Sequence, residues 1–439
     1  MTNSETKKFS QNVSSSYHLE DRCKCNKNTC ANTCNVPKLR FKGYNDEWKK
    51  IKLGEHLNIC RGASPRPIEK YITVENNGVN WIKIGDISPN ENVIKCTKEK
   101  ITIEGAKHSR YVRKGDLILS NSMSFGRPYI LEIDGCIHDG WLLIQDLEKL
   151  FDKKYLCYLL DSDTVKQQYR KYAAGGVVIN LNSELVRSVK VYMPNFHEQE
   201  KIASFLTLID KKIEKQKELI ELLKKYKRGL LSQIFNQNLR FKDNNGNDYP
   251  DWTEKTLGEI TDNISYGLNA ASKKFDSKNK YIRITDIDET TGKYNNLDIV
   301  SPDCVLSDEY KLKINDLLFA RTGASTGKTY LYNENDGKMY FAGFLIKFSI
   351  KEEYYSNFIF YITQTSKYKK WVSIMSTRSG QPGINAKEYS KYKFSCPIYN
   401  EQVKISNIIS KIDNIIEKAN ILLDFYNDYK KGLLQKMFI

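Results

Sequence analysis

The chain has 439 residues, and its 69 Lys and Arg against 53 Asp and Glu leave a net charge of +16. At roughly 100–200 residues per domain this length implies two to four domains, and 40% hydrophobic residues suffice for filled cores. Apolar runs reach only strand length and the Met1–Val13 segment is polar, so neither a membrane span nor a secretory signal is expected, and the chain is expected to stay in the cytoplasm. A pI of 9.1 is the electrostatic footprint of a nucleic-acid binder, with an ordinary solvated basic surface as the plain alternative.

In chain order, residues 1–36 form a polar tail with Cys23, Cys25, Cys30 and Cys34. Four thiolates are a zinc set, but this spacing departs from C-x2-C pairs and the flanks are rich in Ser, Asn and Lys, which favours a reduced, disordered tail without metal. The other six cysteines stand singly and read as reduced core residues. Residues 37–197 alternate short β-rich runs (Tyr71–Val74, Leu117–Leu119, Val189–Tyr192) with Gly, Asn, Asp and Pro turns, and a helical stretch over Lys153–Lys171 interrupts them. This predicts an α+β globule. Residues 198–235 contain no Pro and read as one long helix. Residues 236–400 repeat the mixed grammar, with a helical stretch over Tyr354–Val372, and 401–439 repeat the long helix.

The repetition is collinear. Leu39-Arg40-Phe41 recurs as Leu239-Arg240-Phe241, and Trp48 with Leu53-Gly54-Glu55 as Trp252 with Leu257-Gly258-Glu259. Trp81 to Ile87 recurs as Tyr281 to Ile287, with Trp81 and Tyr281 expected in the core. Gly115-Asp116-Leu117 recurs as Asn315-Asp316-Leu317, Ile179-Asn180 as Ile384-Asn385, and Glu198-Gln199 as Glu401-Gln402. Lys227 to Leu231 recurs as Lys430 to Leu434. A period of about 200 residues is too long for a solenoid and indicates two copies of a whole module.

Each long helix carries a seam with steps of four and three. In the first it runs through Ile202, Leu206, Ile209, Ile213, Gln216, Ile220, Leu223, Lys227, Leu230 and Ile234. In the second it runs through Ile405, Ile409, Ile412, Ile416, Ala419, Leu423, Tyr426, Lys430, Leu433 and Met437. Such a repeat is a coiled-coil seam, and a helix of 38 residues is about 57 Å long. The economical way to dry both seams is to pack the two helices on each other, antiparallel, within the chain; separate partners for each seam are the alternative.

No catalytic constellation is present. The five histidines fall at no metal-ligand spacing, and no H-E-x-x-H, G-x-S-x-G or G-x-G-x-x-G occurs. Nor does an N/D/S-Pro-Pro-Tyr/Phe box. Gly323-Ala324-Ser325-Thr326-Gly327-Lys328-Thr329 approaches a phosphate loop but is one residue short, with Thr322 where the first glycine belongs. A turn with exposed Arg321 and Lys328 is the expected structure.

Two globules alternating with two matched helices, each globule opening on Leu-Arg-Phe, Trp and Leu-Gly-Glu and each helix opening after Pro-x3-Glu-Gln and closing on Lys/Arg-Gly-Leu-Leu, strongly resemble the specificity (S) subunit of type I restriction-modification enzymes. The likeness spans about residues 37–439. It implies two target-recognition domains, at 37–197 and 236–400, each reading one half of a bipartite, asymmetric double-stranded DNA target. It implies helical spacers at 198–235 and 401–439 that set the spacing and dock two methyltransferase (M) subunits, with restriction (R) subunits joining the full complex. The resemblance implies no catalysis and no bound cofactor in this chain: SAM, ATP and Mg²⁺ would serve the partners.

A pseudo-twofold object of this kind can set two readers about one helical turn, or ~34 Å, apart on a duplex. Base reading needs paired donors, mainly Arg to guanine and Asn or Gln to adenine. The candidates beside the repeated strands are Arg61, Arg66, Lys83, Arg110, Asn121, Arg127 and Asn180 in the first globule. In the second they are Arg283, Arg321, Lys328, Arg378, Gln381 and Asn385. Asn180 and Asn385 follow glycine-containing loops, where capping a turn explains them equally well.

Overall fold

Leu117 and Leu119 point to one side of their strand and Ile118 to the other, as the period of two demands, and all three are buried. The strand is therefore covered on both faces. Leu117 and Leu119 join a core with Ile59, Leu142, Tyr155 and Leu159, while Ile118 joins Ile82, Ile137, Trp141 and Leu143. The matched strand divides in the same way. Leu317 and Phe319 pack with Phe348, Phe358 and Ile359, and Leu318 and Ala320 pack with Ile282, Phe341 and Leu345. Trp81 and Tyr281 are core residues, 1% and 2% exposed.

The computed structural model describes residues 19–21, 35–86, 92–121, 126–173, 181–377 and 381–439. Cys23, Cys25, Cys30 and Cys34 lie outside them, as do Asn180 and Arg378. The chain forms two compact units, one of residues 1–218 with 420–439 and one of residues 219–419.

In the first unit, one five-stranded sheet has the order Leu57–Arg61, Trp141–Asp146, Leu117–Ser120, Pro128–Leu131, Val93–Ile94. A second has the order Ile72–Thr73, Glu99–Ile101, Val79–Ile82, Gly135–Ile137, Arg110–Val112. Lys49–Lys52 pairs with Lys190–Met193. In the second unit the equivalent sheet is Thr261–Tyr266, Leu345–Ile350, Asp316–Ala320, Thr329–Leu331. Thr253–Thr256 pairs with Lys393–Cys396, and Lys280–Ile282 lies parallel to Met339–Phe341, as Val79–Ile82 lies parallel to Gly135–Ile137. The two units thus share one strand plan.

The long helices run Phe196–Phe235 and Tyr399–Met437. Each supplies a segment to both units. In the first unit Asp210 meets Lys430 and Lys212 lies over the Tyr426 ring, which fixes an antiparallel pairing. In the second unit Lys227 meets Asp413, and Leu231 and Ile234 share a core with Ile409 and Ile405, again antiparallel. The seam residues Ile202, Leu206, Ile209, Ile213, Ile220, Ile234, Ile405, Ile409, Ile412, Ile416, Tyr426, Leu433 and Met437 are buried. Leu223, Leu230 and Leu423 are only partly so. Leu231 is buried in place of Leu230, because the last turns of this helix pack on the globule and a straight helix of 3.6 residues per turn drifts off a 3.5 repeat.

Three other expectations need correction. The helical stretches over Lys153–Lys171 and Tyr354–Val372 are each broken in two. Ser162 and Thr365 make the breaks: each hydroxyl donates to the carbonyl three residues back and accepts the N–H three residues ahead, ending one helix and capping the next. The strand expected over Tyr71–Val74 shrinks to Ile72–Thr73, with Val74 99% exposed. Cys136, Cys157 and Cys396 are buried thiols, the last two pushed up to about 12 by burial, but Cys96 and Cys304 are exposed.

Candidate nucleic-acid interface

Each unit anchors its globule to a long helix through one buried carboxylate. Arg40 donates from Nε and Nη2 to the two oxygens of Glu198 at 2.7 and 2.8 Å, and Trp48 Nε1 donates at 3.3 Å. Arg240 grips Glu401 at 3.2 and 3.1 Å, with Trp252 Nε1 at 3.1 Å. The neighbouring glutamines also act alike: Gln199 accepts from Asp152 N–H and Gln402 from Tyr355 N–H, while their amides donate to Pro194 and Pro397 carbonyls. These four residues, identical in both repeats, are therefore framework.

The strand ends of each unit converge on a three-part junction. In the first unit the end of Leu57–Arg61, the residue after Leu117–Ser120 and the approach to Trp141 meet. Gly62 N–H donates to the Trp141 carbonyl, Asn121 N–H to Gly140, and Leu181 N–H to Asn121. In the second unit Gly267 N–H donates to Leu345, Arg321 N–H to Phe344, and Ile384 N–H to Arg321. The backbone pattern is the same. A Cβ on Gly62 would overlap the His138 carbonyl, and one on Gly267 the Ala342 carbonyl, so close approach of two backbones explains glycine at both places.

The side chains on these matched junctions differ. In the first unit they gather around Asp139. Its carbonyl accepts from Arg61 Nε at 3.0 Å and Asn121 Nδ2 at 2.9 Å, and its carboxylate accepts from Ser64 Oγ at 3.0 Å. Arg61 and Arg66 bring guanidinium groups to 3.9 and 3.6 Å of that carboxylate while remaining 64% and 83% exposed. Arg110 Nε donates to the Arg61 carbonyl. His138, beside Asp139, has its pKa lowered, chiefly because burial disfavours the charged ring. Its Nδ1 accepts from Gly140 N–H at 2.7 Å, which only the neutral ring can do.

In the second unit the counterpart of Arg61 is Tyr266, and the counterpart of Asn121 is Arg321. The Arg321 guanidinium lies 5.0 Å over the Tyr266 ring, and its buried Nε has no acceptor among the described residues. Phe344, 55% exposed, stands where the first unit has Gly140. The segment Gln381–Asn385 closes the junction through Gly323 N–H to Pro382 and the Thr322–Gly383 bridge.

Of the sequence candidates, Arg61, Arg66, Arg110 and Asn121 are thus brought together in one unit, and Arg321, Gln381 and Asn385 in the other. Several have structural duties. Asn121 is 6% exposed and ties strand ends together. Lys83 pairs with Glu99, and its matched residue Arg283 is held by Asp286 and Asp298 at 2.9 and 3.0 Å, pairings that raise its pKa. Both cap a 3-10 turn through their own N–H to Asp86 or Asp286. Arg127 stacks on Tyr129 and donates to Asn92. Asn385 caps a short helix by accepting Glu388 N–H at 3.0 Å. The near-phosphate loop is a turn, but Arg321 and Lys328 are only partly exposed, Arg321 stacked on Tyr266 and Lys328 3.5 Å from Glu289.

Among the described residues no cluster of His, Cys, Asp and Glu is placed to hold a metal, and no helix is long and apolar enough to cross a membrane. Sequence reasoning missed Asp139 and Tyr266. The only signal for them was that a repeated scaffold changes residue there.

The chain matches the family described as the type I restriction modification DNA specificity domain twice, over residues 45–225 and 235–423. It is 22% identical over 388 residues to the type I restriction enzyme MjaVIII specificity subunit of Methanocaldococcus jannaschii, covering 85% of this chain and 87% of that one. It is 22% identical over 307 residues to the EcoKI specificity subunit of Escherichia coli, covering 66% of each. Among solved structures, the S subunit from M. genitalium aligns over 92% of this chain and 99% of its own with a TM-score of 0.53 at 16% identity. A chain from a type I restriction-modification system solved for its assembly and conformational transition aligns over 89% and 97%, with a TM-score of 0.57 at 15% identity. The matched strand plan, the shared carboxylate anchors and the doubled family match agree: this chain belongs to the type I restriction-modification specificity subunits and carries two tandem DNA specificity domains.

Proposed function

We propose that each globule reads one half of a bipartite, asymmetric DNA target, the first through residues 37–197 and the second through 236–400. The observation that carries this is the pair of junctions, alike in backbone and unlike in side chains. One presents arginines arranged around a carboxylate, the other an arginine stacked on tyrosine beside an exposed phenylalanine. Guanidinium groups suit the O6 and N7 acceptors of guanine, and an exposed aromatic suits the thymine methyl group. Unlike chemistry on one scaffold favours unlike half-sites. The first globule carries +7 of the +16 net charge, which suits phosphate contact.

The helices at 198–235 and 401–439 act as the spacer and as the docking surface for two methyltransferase subunits, through which restriction subunits join. The chain itself performs no catalysis and binds no cofactor; SAM, ATP and Mg²⁺ belong to the partners, and the complex works in the cytoplasm.

The test is to co-express the chain with its methyltransferase subunit and map adenine methylation. One split, asymmetric motif is expected. Replacing one globule must change one half of that motif and spare the other, and one extra turn in both helices must lengthen the unread spacer. A swap that altered both halves would refute the modular reading.

A further inference from the structure

A cavity of about 200 Å³ opens in the second unit between the end of the first long helix, the break at Thr365 and the strand Lys393–Cys396. Its helix side presents Arg228, Leu231, Ser232, Phe235 and Asn236, which at steps of three and four form one face and make the cavity a short groove. Its floor is apolar, from Leu231, Phe235, Ile362, Tyr392 and Phe394. Its rim carries Arg228, Lys367 and Lys369, all exposed, and no acidic side chain lines it among the described residues. Gln364 completes the wall. Its Oε1 accepts from Lys227 Nζ at 2.7 Å, so its amide faces away from that lysine, and this buried Nε2 has no acceptor.

The matched place in the first unit differs by two aspartates. Ser162 corresponds to Thr365 by its hydrogen bonds, which sets Asp161 in the place of Gln364 and Asp163 in that of Ser366. Asp161 already holds Lys166 at 2.7 Å, and Asp163 accepts from Gln435. Asp161 and Asp163 thus have donors from within the chain, while in the second unit Lys367, Lys369 and a buried amide donor have no acceptor among the described residues, and Arg228 is attracted by Glu221 without a close ion pair.

We propose that this groove is a docking site for an acidic peptide segment of a partner protein, one that presents an apolar side chain next to one or more carboxylates. The apolar residue fills the floor, and the carboxylate meets Gln364 Nε2 and the rim. A nucleic-acid backbone would satisfy the rim but offers nothing to five apolar floor residues. An unsatisfied buried donor costs free energy that an incoming carboxylate recovers. Among the described residues the first unit has no matching groove of this character, so the two repeats differ here. None of the groove's lining residues belongs to the junction around Arg321 and Tyr266, and the proposal does not rest on the DNA-reading role.

The test is fluorescence polarisation of the full chain with a labelled peptide, acetyl-Leu-Phe-Asp-Glu-Leu-Glu, and its Asn/Gln isostere. The acidic peptide is expected to bind at least tenfold more tightly. Arg228→Glu with Lys367→Glu should weaken it at least tenfold. Ser232→Phe, which fills the groove without changing charge, should do the same. Lys431→Glu, at the repeat mate of Arg228, should leave binding unchanged. Equal binding of both peptides, no response to the groove variants, or displacement of the peptide by a 12-base-pair duplex overturns the proposal. Duplex DNA binding by the same variants separates a failure here from a failure of the DNA-reading role.

Discussion

Lys227 Nζ lies 2.6 Å from Asp413, and the two residues come from different repeats. Lys430 lies 2.6 Å from Asp210 in the mirror arrangement. Each aspartate also accepts a tyrosine hydroxyl, Tyr361 or Tyr158. The charged residue in each seam is therefore the partner of an acid on the other helix, and it fixes which turn meets which. Lys227 is 11% exposed, and its pKa is lowered, chiefly by burial. Asp413→Asn leaves that ammonium without a counter-charge and should cost about 2–4 kcal/mol. The double change Lys227→Met with Asp413→Leu should recover most of this, because an apolar pair pays no desolvation. A double-mutant cycle read by thermal unfolding checks both, and equal losses in the single and double variants would contradict the account.

Arg40 and Arg240 hold equivalent carboxylates in unequal surroundings. Arg40 and Glu198 are 1% and 0% exposed, whereas Arg240 is 26% exposed over a fully buried Glu401. Arg40→Ala strands a buried carboxylate with Trp48 as its one remaining donor among the described residues and should cost about 3–5 kcal/mol. Arg240→Ala admits water to Glu401 and should cost visibly less. Thermal melts of the two variants, compared with wild type, give the order directly.

His138 links stability to pH. Burial lowers its pKa below the ordinary value of 6.5, so between the two values the unfolded chain binds the proton more readily than the folded one. Stability from this group is fully present above the unfolded pKa. It is lost as pH falls through 6.5 toward the folded pKa, and it is constant below that. Melting temperatures from pH 7.5 to 5 should fall more steeply for wild type than for His138→Gln. Parallel curves would mean that His138 carries no such linkage.

The repeat, the helices and most of their seam were legible because they are local or periodic. Ile202, Leu206 and Ile209 declare a helix face by spacing alone. Arg40 and Glu198 are 158 positions apart, and no periodicity joins them. Their recurrence as Arg240 and Glu401 was nevertheless visible, and the structure shows what it meant: identity between copies marks framework. Lys83 and Arg283 keep a cation at the same place because it braces a turn. Difference between copies marks the chemistry that distinguishes the two junctions, as in exposed Arg61 against Tyr266 and buried Asn121 against Arg321. Choosing candidates by residue type mixed the two classes. The breaks at Ser162 and Thr365 were missed because a hydroxyl competes with the helix only where its local hydrogen bonds are made, and propensity does not reveal that.

Gly62 and Gly267 should respond to alanine independently. Each Cβ would strike a backbone carbonyl, of His138 or Ala342, and neither backbone can yield without separating strands. A loss of about 1–3 kcal/mol is expected from such overpacking. Gly62→Ala should disturb recognition of one half-target and Gly267→Ala the other. Methylation maps from the two variants would show the partition, and a shared phenotype would count against separate junctions.

Arg321 offers the sharpest test of reading. Its guanidinium is stacked on Tyr266 and its Nε lacks an acceptor among the described residues, so the stacking would leave it ready for a bidentate partner at little further entropic cost. Arg321→Ala should weaken specific binding by about 1–3 kcal/mol and relax selection at one position of one half-target. Arg321→Lys keeps the charge but loses the planar fork, and should fail at that position almost as badly. Tyr266→Ala removes the stacking partner and should cost about 0.5–2 kcal/mol while leaving the charge in place. A phosphate contact would behave otherwise, because lysine would substitute well and the loss would fall evenly on all sequences with a smaller salt slope. Binding curves on duplexes varied base by base in each half, taken at two salt concentrations, distinguish the two behaviours.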